Sequence, residues 1–156
     1  MKTLVVMRHA EAEPFMTVGN DRDRLISPKG HQQLVAVANE FECLNMSLDH
    51  IFASSAQRTV TTSEYLSKFS KSAVEYVPEL YNATGLNLEN FIFSIEDSLN
   101  SVAIIGHNPA VSECVSALLN SPVYFNPSNA MVLGFDVSRW SEMGSTKLKS
   151  EKWIAV

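Results

Sequence analysis

Arginine and histidine side chains follow three apolar segments of this chain, at the point where each segment ends. The segments are residues 3–7, residues 50–53 and Ser101–Gly106, and the side chains are Arg8, His9, Arg58 and His107. Guanidinium groups bind the oxygens of phosphoryl groups through paired hydrogen bonds. If the three segments are parallel neighbouring strands, the four side chains converge. The sequence therefore predicts a small pocket for an anion such as phosphate or sulfate.

The elements that would position these side chains alternate along the chain. The predicted strands cover residues 3–7, 50–53, 74–77, 101–106, 130–137 and 147–154. The predicted helices begin at Ser27-Pro28, after Ser54-Ser55, at residue 88 and at Pro109, and the last three extend to about Phe69, Leu99 and Leu119. This alternation is typical of an α/β three-layer sandwich with a mainly parallel central sheet and helices on both faces. We expect one domain over residues 1–156, with an irregular stretch at residues 11–26.

The first predicted helix has a clear start and an apolar face. Ser27 is a good N-cap, and Pro28 suits the first turn because its missing N–H needs no partner there. Its expected buried positions are Leu34, Val35, Ala38, Phe41 and Cys43. The two cysteines, Cys43 and Cys114, have no metal or redox spacing, so we expect both to be buried free thiols.

Composition narrows the possible partners. The chain has 156 residues and a formal net charge of −5, which argues against nucleic acid or an anionic membrane as a partner. No segment resembles a signal peptide or a membrane span, so a cytoplasmic location is expected. No metal and no cofactor are predicted, because the proposed pocket is already cationic and the sequence shows no carboxylate cluster.

Five short motifs, taken together, resemble the histidine phosphatase superfamily, which has the phosphoglycerate-mutase-like fold. In chain order they are MRHAEAE, RLISPKG, SSAQRTVTTSEYL, PEL and IIGHNPAV. The resemblance extends from residue 4 to about residue 119. Within the superfamily, RHAEAE, DRLISPKG and GHNP most resemble the SixA group of phosphohistidine phosphatases.

The resemblance implies a role for each matching residue. His9 would be the nucleophile that carries the phosphoryl group as a covalent phosphohistidine. Arg8, Arg58 and His107 would bind the phosphoryl oxygens, and Arg24 would reach the same pocket. We expect a neutral His9 whose second nitrogen donates to a backbone carbonyl and whose pKa is lowered by its cationic neighbours. We expect His107 to be protonated.

Two departures from the family pattern concern the backbone and the general acid. Ala10 stands where the motif has glycine, so the backbone there must adopt a conformation open to alanine. Glu79 falls where mutase-like relatives carry a general acid, but a solvated loop carboxylate is an equally good interpretation. Glu11 and Glu13 are expected to be structural partners of the loop and helix.

Three hypotheses remain open from the sequence. The first is a phosphohistidine phosphatase acting on a phosphotransfer domain or phosphocarrier protein, since short loops predict an open pocket and imidazole leaves without an acid. The second is a phosphatase for small phosphate esters, with Glu79 as general acid. The third, from another class, is a non-catalytic module that binds phosphoproteins. The sequence also leaves open whether residues 121–127 form a lip of the pocket.

Overall fold

A six-stranded sheet runs through the computed structural model, which describes residues 1–14 and 19–156. The strands are β1 (Lys2–Arg8), β2 (His50–Ser54), β3 (Ala73–Val77), β4 (Ser101–Gly106), β5 (Ala130–Phe135) and β6 (Leu148–Ile154). Their order across the sheet is β3-β2-β4-β1-β5-β6. The first four are parallel, and β5 and β6 are added in antiparallel pairing. The predicted α/β class with a mainly parallel sheet is confirmed.

Four helices cover the two faces of this sheet. They are α1 (Pro28–Cys43), α2 (Gln57–Ser70), α3 (Gly85–Phe93) and α4 (Ala110–Leu119). α1 and α2 share one apolar cluster with the sheet, and α3 and α4 share the other. The predicted irregular stretch at residues 11–26 includes residues 15–18, which lie outside the described part of the chain.

Strand β1 lies in the middle of the sheet and is buried on both faces. Leu4 and Val6 belong to the cluster under α3 and α4, whereas Val5 and Met7 belong to the cluster under α1 and α2. The strand pairs with β4 on one side and β5 on the other. Its unbroken apolar run is the pattern expected of a strand with helices on both faces.

Helix α1 begins as predicted, and three of its five expected buried positions are buried. The Ser27 side chain accepts a hydrogen bond from the backbone N–H of Gly30. Its buried large apolar residues are Leu34, Val37, Ala38 and Phe41. The predictions for Val35, which is 53% exposed, and for Cys43, which is exposed, were wrong. Each residue turns the helix by about 100°, so Val35 points away from the Leu34 face and Cys43 lies about 200° beyond Phe41.

The other helices and the last two strands differ from prediction mainly at their ends. α2 has Ala56 as its N-cap with no side-chain capping bond, so the predicted serine cap was wrong. α3 ends near residue 93 instead of residue 99 and starts earlier, because Thr84 and Asn87 form a reciprocal capping box. β5 ends at Phe135, two residues before the predicted end. Cys114, on α4, is buried as predicted, and burial raises the pKa of its thiol to about 12.

None of the described helices combines the length and the apolar character that crossing a membrane requires.

Candidate active site

The carboxyl ends of β1, β2 and β4 meet at one edge of the sheet. Arg8 is paired with Gly106 across the β1–β4 ladder. The His9 backbone N–H donates to the Gly106 carbonyl at 3.1 Å. The two residues that follow these strands, His9 and His107, are therefore neighbours, with ring centroids 5.0 Å apart. Arg58 arrives from the first turn of α2, directly after β2.

The tautomer of His9 follows from its backbone contact. Nδ1 lies 2.7 Å from the Ala10 carbonyl oxygen. A carbonyl oxygen can only accept, so Nδ1 carries the hydrogen and Nε2 keeps its lone pair. His9 is 8% exposed. Burial, and to a smaller degree the charges of His107, Arg58 and Arg8, lower the pKa of His9 to about 3, although the Ala10 contact raises it.

The expected direction of this pKa shift is therefore correct, but its main cause is burial and not the cationic neighbours. Near neutral pH the His9 ring is neutral, with its unprotonated nitrogen at Nε2. A neutral imidazole with one nitrogen fixed by the backbone is the form that can attack an electrophile.

Arg58 is buried and bound on two sides. Its Nε donates to His9 Nε2 at 3.3 Å. Its Nη1 donates to the Asp21 backbone carbonyl at 2.7 Å, and its Nη2 donates to Asp21 Oδ2 at 3.0 Å. The guanidinium thus links the imidazole to the loop that carries Asp21.

Asp21 gathers several donors on its carboxylate. Oδ2 accepts from the Tyr81 hydroxyl at 2.5 Å, and Oδ1 accepts from Arg24 Nη1 at 3.1 Å. The hydrogen bond from Tyr81, followed by those from Arg24 and Arg58, holds the pKa of Asp21 well below its usual range. Arg24 also donates to the Glu13 carbonyl at 2.7 Å. The predicted site residue Arg24 therefore contacts Asp21 at the edge of the cluster, and Asp21 and Arg58 connect it to His9.

Arg8 is held by residue Phe125, which lies in the stretch 121–127 whose role the sequence left open. Its Nη1 donates to the Phe125 carbonyl at 2.9 Å. Asn108 Nδ2 donates to the same carbonyl at 2.8 Å, and the Ser112 hydroxyl donates to Asn108 Oδ1 at 2.7 Å. Within residues 121–127, Phe125 thus contacts the site through its backbone carbonyl. Arg8 Nε is buried and has no hydrogen-bond partner among the described residues.

His107 is the second buried imidazole. Its Nε2 lies 2.7 Å from the Ser54 hydroxyl, and the edge of Tyr81 packs against its ring at 5.6 Å between centroids. Burial, followed by the charge of Arg58, lowers the pKa of His107 to about 4. The expectation that His107 is protonated was wrong for this arrangement, because a ring 9% exposed beside a guanidinium is more stable uncharged. Its Nδ1 has no hydrogen-bond partner in the described part of the chain.

Three further predicted residues have simpler surroundings. Glu79 is exposed on the 3-10 turn Pro78–Leu80, and within residues 1–14 and 19–156 it forms no hydrogen bond or ion pair. Glu11 accepts from the Ser27 hydroxyl at 2.9 Å and pairs with Lys29 at 3.3 Å, as expected of a structural partner. Ala10 is fully buried and does not have a positive φ, so the backbone accommodates alanine without strain.

Sequence reasoning missed Asp21, Tyr81 and Ser54 as parts of the site. Asp21 lies 37 positions from Arg58 and 60 from Tyr81. No local spacing signals such contacts. The one available signal for Asp21 was its proximity to Arg24 in the GNDRDR stretch, and for Ser54 it was the strand end that it shares with the Arg58 loop.

The cluster has the chemistry of an anion site. Two guanidinium groups, those of Arg24 and Arg58, bind the Asp21 carboxylate, and Arg8 is held separately by the Phe125 carbonyl. The two buried nitrogens without partners, Arg8 Nε and His107 Nδ1, add hydrogen-bonding capacity. Among the described residues, no group of three or more His, Cys, Asp or Glu side chains could hold a metal ion.

The model of the histidine phosphatase superfamily (branch 1) matches residues 4–98. The chain belongs to this superfamily. The matched span includes His9, Arg8, Arg24, Arg58 and Glu79, and it ends before His107. The family prediction made from the motifs is confirmed.

Individual relatives agree with this assignment. An uncharacterized chloroplastic protein of Arabidopsis thaliana is 25% identical over 153 residues, with 90% of this chain and 70% of the relative covered. The structure of a proposed phosphohistidine phosphatase SixA from Nakamurella multipartitia superposes with a TM-score of 0.82 at 21% identity, over 97% of this chain and 95% of that one. The protein histidine phosphatase SixA in complex with tungstate gives 0.77 at 19% identity, over 96% and 95%. At these identities the likeness to solved structures establishes a common fold.

Proposed function

We propose that this chain is a phosphohistidine phosphatase that works through a covalent phosphohistidine on His9. The observation that carries the proposal is the state of His9. Its Nδ1 donates to the Ala10 carbonyl, so the lone pair that can attack is on Nε2, where it accepts a hydrogen bond from Arg58 Nε at 3.3 Å. Membership in the histidine phosphatase superfamily and the fold shared with SixA proteins support the proposal.

In the first step, the His9 Nε2 lone pair forms a bond to phosphorus. The bond between phosphorus and the substrate imidazole breaks, and that imidazole leaves with the electron pair and takes a proton from solvent. The Arg58 Nε–H would donate to a phosphoryl oxygen in place of Nε2, with the guanidinium still held by Asp21, and Arg8 and His107 would bind the remaining oxygens. A phosphoryl anion beside His107 would raise its pKa, so that the ring can become the cation that the motif comparison implied.

In the second step, water attacks phosphorus. The new bond joins the water oxygen to phosphorus, the bond to His9 Nε2 breaks, and inorganic phosphate leaves. The proton lost by the water passes to solvent or to the phosphate itself. His9 returns to its neutral form, which its burial favours.

The lack of partners around Glu79 supports a P–N substrate over a P–O substrate. An alkoxide is a poor leaving group and needs a general acid, whereas an imidazole needs little help. Glu79 is exposed and makes no hydrogen bond or ion pair with the rest of the described chain. We therefore propose a phosphotransfer domain or phosphocarrier protein as the natural partner, with no metal or cofactor.

A substrate panel tests this function directly. The purified chain is given a phosphohistidine protein, an alkyl phosphate and nitrophenyl phosphate under identical conditions. Fastest turnover of the phosphohistidine protein is expected. Turnover of the alkyl ester alone would replace the proposal with a small-ester phosphatase.

Trapping of the intermediate separates catalysis from binding. A phosphohistidine protein labelled on phosphorus should transfer acid-labile label to the chain within one turnover, and His9→Asn should not accept it. Stable binding of the phosphoprotein without transfer would identify a binding module instead.

A further inference from the structure

Among the described residues, Asp21 is the only acidic residue that contacts Arg58, and it does so through two atoms. The backbone carbonyl accepts from Nη1 and the carboxylate accepts from Nη2. These bonds fix the plane of the guanidinium, so that its Nε edge faces His9. Arg58 is only 6% exposed, and it has little freedom to find this orientation by another route.

Asp21 is itself held in place. The Tyr81 hydroxyl donates to Oδ2, and Arg24 donates to Oδ1. Arg22 lies over the ring of Tyr81, with its guanidinium carbon 4.5 Å from the ring centroid. These contacts place the carboxylate next to the phosphoryl-binding groups, although its side chain is 38% exposed.

The negative charge of Asp21 affects phosphoryl binding in addition to the effect of its hydrogen bonds. His9 and His107 are neutral near pH 7. The fixed charges of the cluster are therefore this carboxylate and four guanidinium groups, those of Arg8, Arg22, Arg24 and Arg58. A phosphoryl group bound at His9 Nε2 would meet a negative charge on the far side of Arg58. That charge opposes the binding of any phosphoryl anion, and it equally favours the release of inorganic phosphate.

We propose that Asp21 is a positioning residue for Arg58 whose charge also limits how tightly the pocket holds phosphate. The inference rests on the proposed function, because it concerns the same pocket. It assigns Asp21 no bond to the reacting atoms. A high affinity for product phosphate would slow turnover, and Asp21 keeps that affinity down while it orients the arginine.

The test compares Asp21→Asn with Asp23→Asn in the full chain. Asparagine keeps the size of the side chain, one oxygen acceptor and the backbone carbonyl, but removes the charge. Asp23 lies two residues away, is exposed, and forms no ion pair within the described residues, so its variant is a matched control for lost charge. Binding of inorganic phosphate is measured by calorimetry at low salt.

We expect Asp21→Asn to bind phosphate about three- to tenfold more tightly than the unmodified chain, which is the scale of one charge acting across a partly solvated pocket. Asp23→Asn should change the affinity by less than about twofold, since Asp23 is exposed to water and forms no ion pair with a pocket arginine among the described residues. If Asp21 had a purely structural role, its replacement could only weaken phosphate binding. Tighter binding would therefore distinguish the proposed effect of its charge from a structural role. If Asp21→Asn does not fold, Asp21→Ser removes the same charge with a smaller acceptor.

Unchanged or weaker phosphate binding by the folded Asp21 variant would overturn the inference, as would equal tightening by Asp23→Asn. Failure of both the variant and the unmodified chain to bind phosphate would overturn it too. Calorimetry with phosphate needs no turnover. A chain that binds phosphate as expected but leaves phosphohistidine proteins intact would refute the proposed function and leave the role of Asp21 standing.

Discussion

The two sides of the pocket hold their arginines by different chemistry. Arg8 is bound by a neutral backbone carbonyl, that of Phe125, which is steadied by Asn108 and Ser112. Arg58 is bound by the ionised carboxylate of Asp21. A neutral anchor leaves the full charge of its arginine available to an anion, whereas a charged anchor offsets part of it. The comparison shows that two guanidinium groups in one site can differ in effective charge although their side chains are identical.

The largest expected effect on turnover is at His9, which lies between Arg8 and Arg58. His9→Ala removes the nucleophile, so turnover of a phosphohistidine protein should fall by at least about 10³-fold. The fold should persist, because the ring lies at the end of β1 and not in either apolar cluster. Turnover and circular dichroism are measured on the same preparation. A well-folded variant with more than a few per cent of the original activity would contradict the covalent mechanism.

The two arginines can be compared directly. Loss of a charged donor to the transition state typically costs about 3 kcal/mol, so Arg8→Ala should lower kcat/KM by roughly 100-fold. Arg58→Ala should cost about tenfold more, because it also leaves Asp21 uncompensated beside the phosphoryl group. The double variant Arg58→Ala with Asp21→Ala should recover part of that difference. Equal losses for the two single variants, with no recovery, would show that the anchors do not matter.

The two buried imidazoles of the site, His9 and His107, should make the stability of the fold depend on pH. The pKa values of His9 and His107 are lowered to about 3 and about 4 from 6.5. In the window between about pH 4 and pH 6.5 the unfolded chain binds more protons than the folded chain, so stability falls as pH falls below 6.5. Together the two rings should lower the free energy of unfolding by about 2–4 kcal/mol between pH 7 and pH 5.

Urea unfolding at pH 7 and pH 5 measures this loss. The matched control is His9→Ala, which should reduce the loss by about half, since one of the two rings no longer takes up a proton on unfolding. A stability that is equal at the two pH values would show that the rings are not held neutral by the fold.

The smallest effect on the rate is expected at Glu79, which contacts neither Arg8 nor Arg58 in the described part of the chain. Glu79→Gln should change the rate on a phosphohistidine protein by less than about tenfold, because imidazole leaves without an acid. If the residue acts as a general acid on esters, the loss on an alkyl phosphate should instead be about 10²–10⁴-fold. Nitrophenyl phosphate, whose leaving group needs no proton, is the internal control. An equal and large loss on all three substrates would assign Glu79 another role, such as orienting the attacking water.

Much of the fold could be predicted because its signals are local. β4 and α4 have the bounds that the sequence indicates, since Gly106 ends an apolar run and Pro109 starts a helix. The errors at Val35 and Cys43 arose where apolar residues lie off the buried stripe, which composition alone cannot distinguish from residues on it.

The site was predictable only in part, for a related reason. The residues that follow strand ends are brought together by the topology, and the sequence shows that topology through its alternating elements. The partners of those residues come from loops, as Asp21 and Phe125 do, and their contacts depend on how the chain returns to the sheet. No periodicity records that path, so Asp21, Tyr81 and the role of residues 121–127 needed the structure.

Because β1 lies in the middle of the sheet, we expect it to open far more rarely than the turn Asp21–Asp23 on the other part of the site. Its amides are hydrogen-bonded to β4 or to β5, and its side chains are buried on both faces. Such amides exchange with deuterium only when the whole domain unfolds. The 3-10 turn Asp21–Asp23 has no buried residue, so its amides exchange through local opening. The strand that ends at His9 can therefore stay fixed through many openings of the turn that carries Asp21.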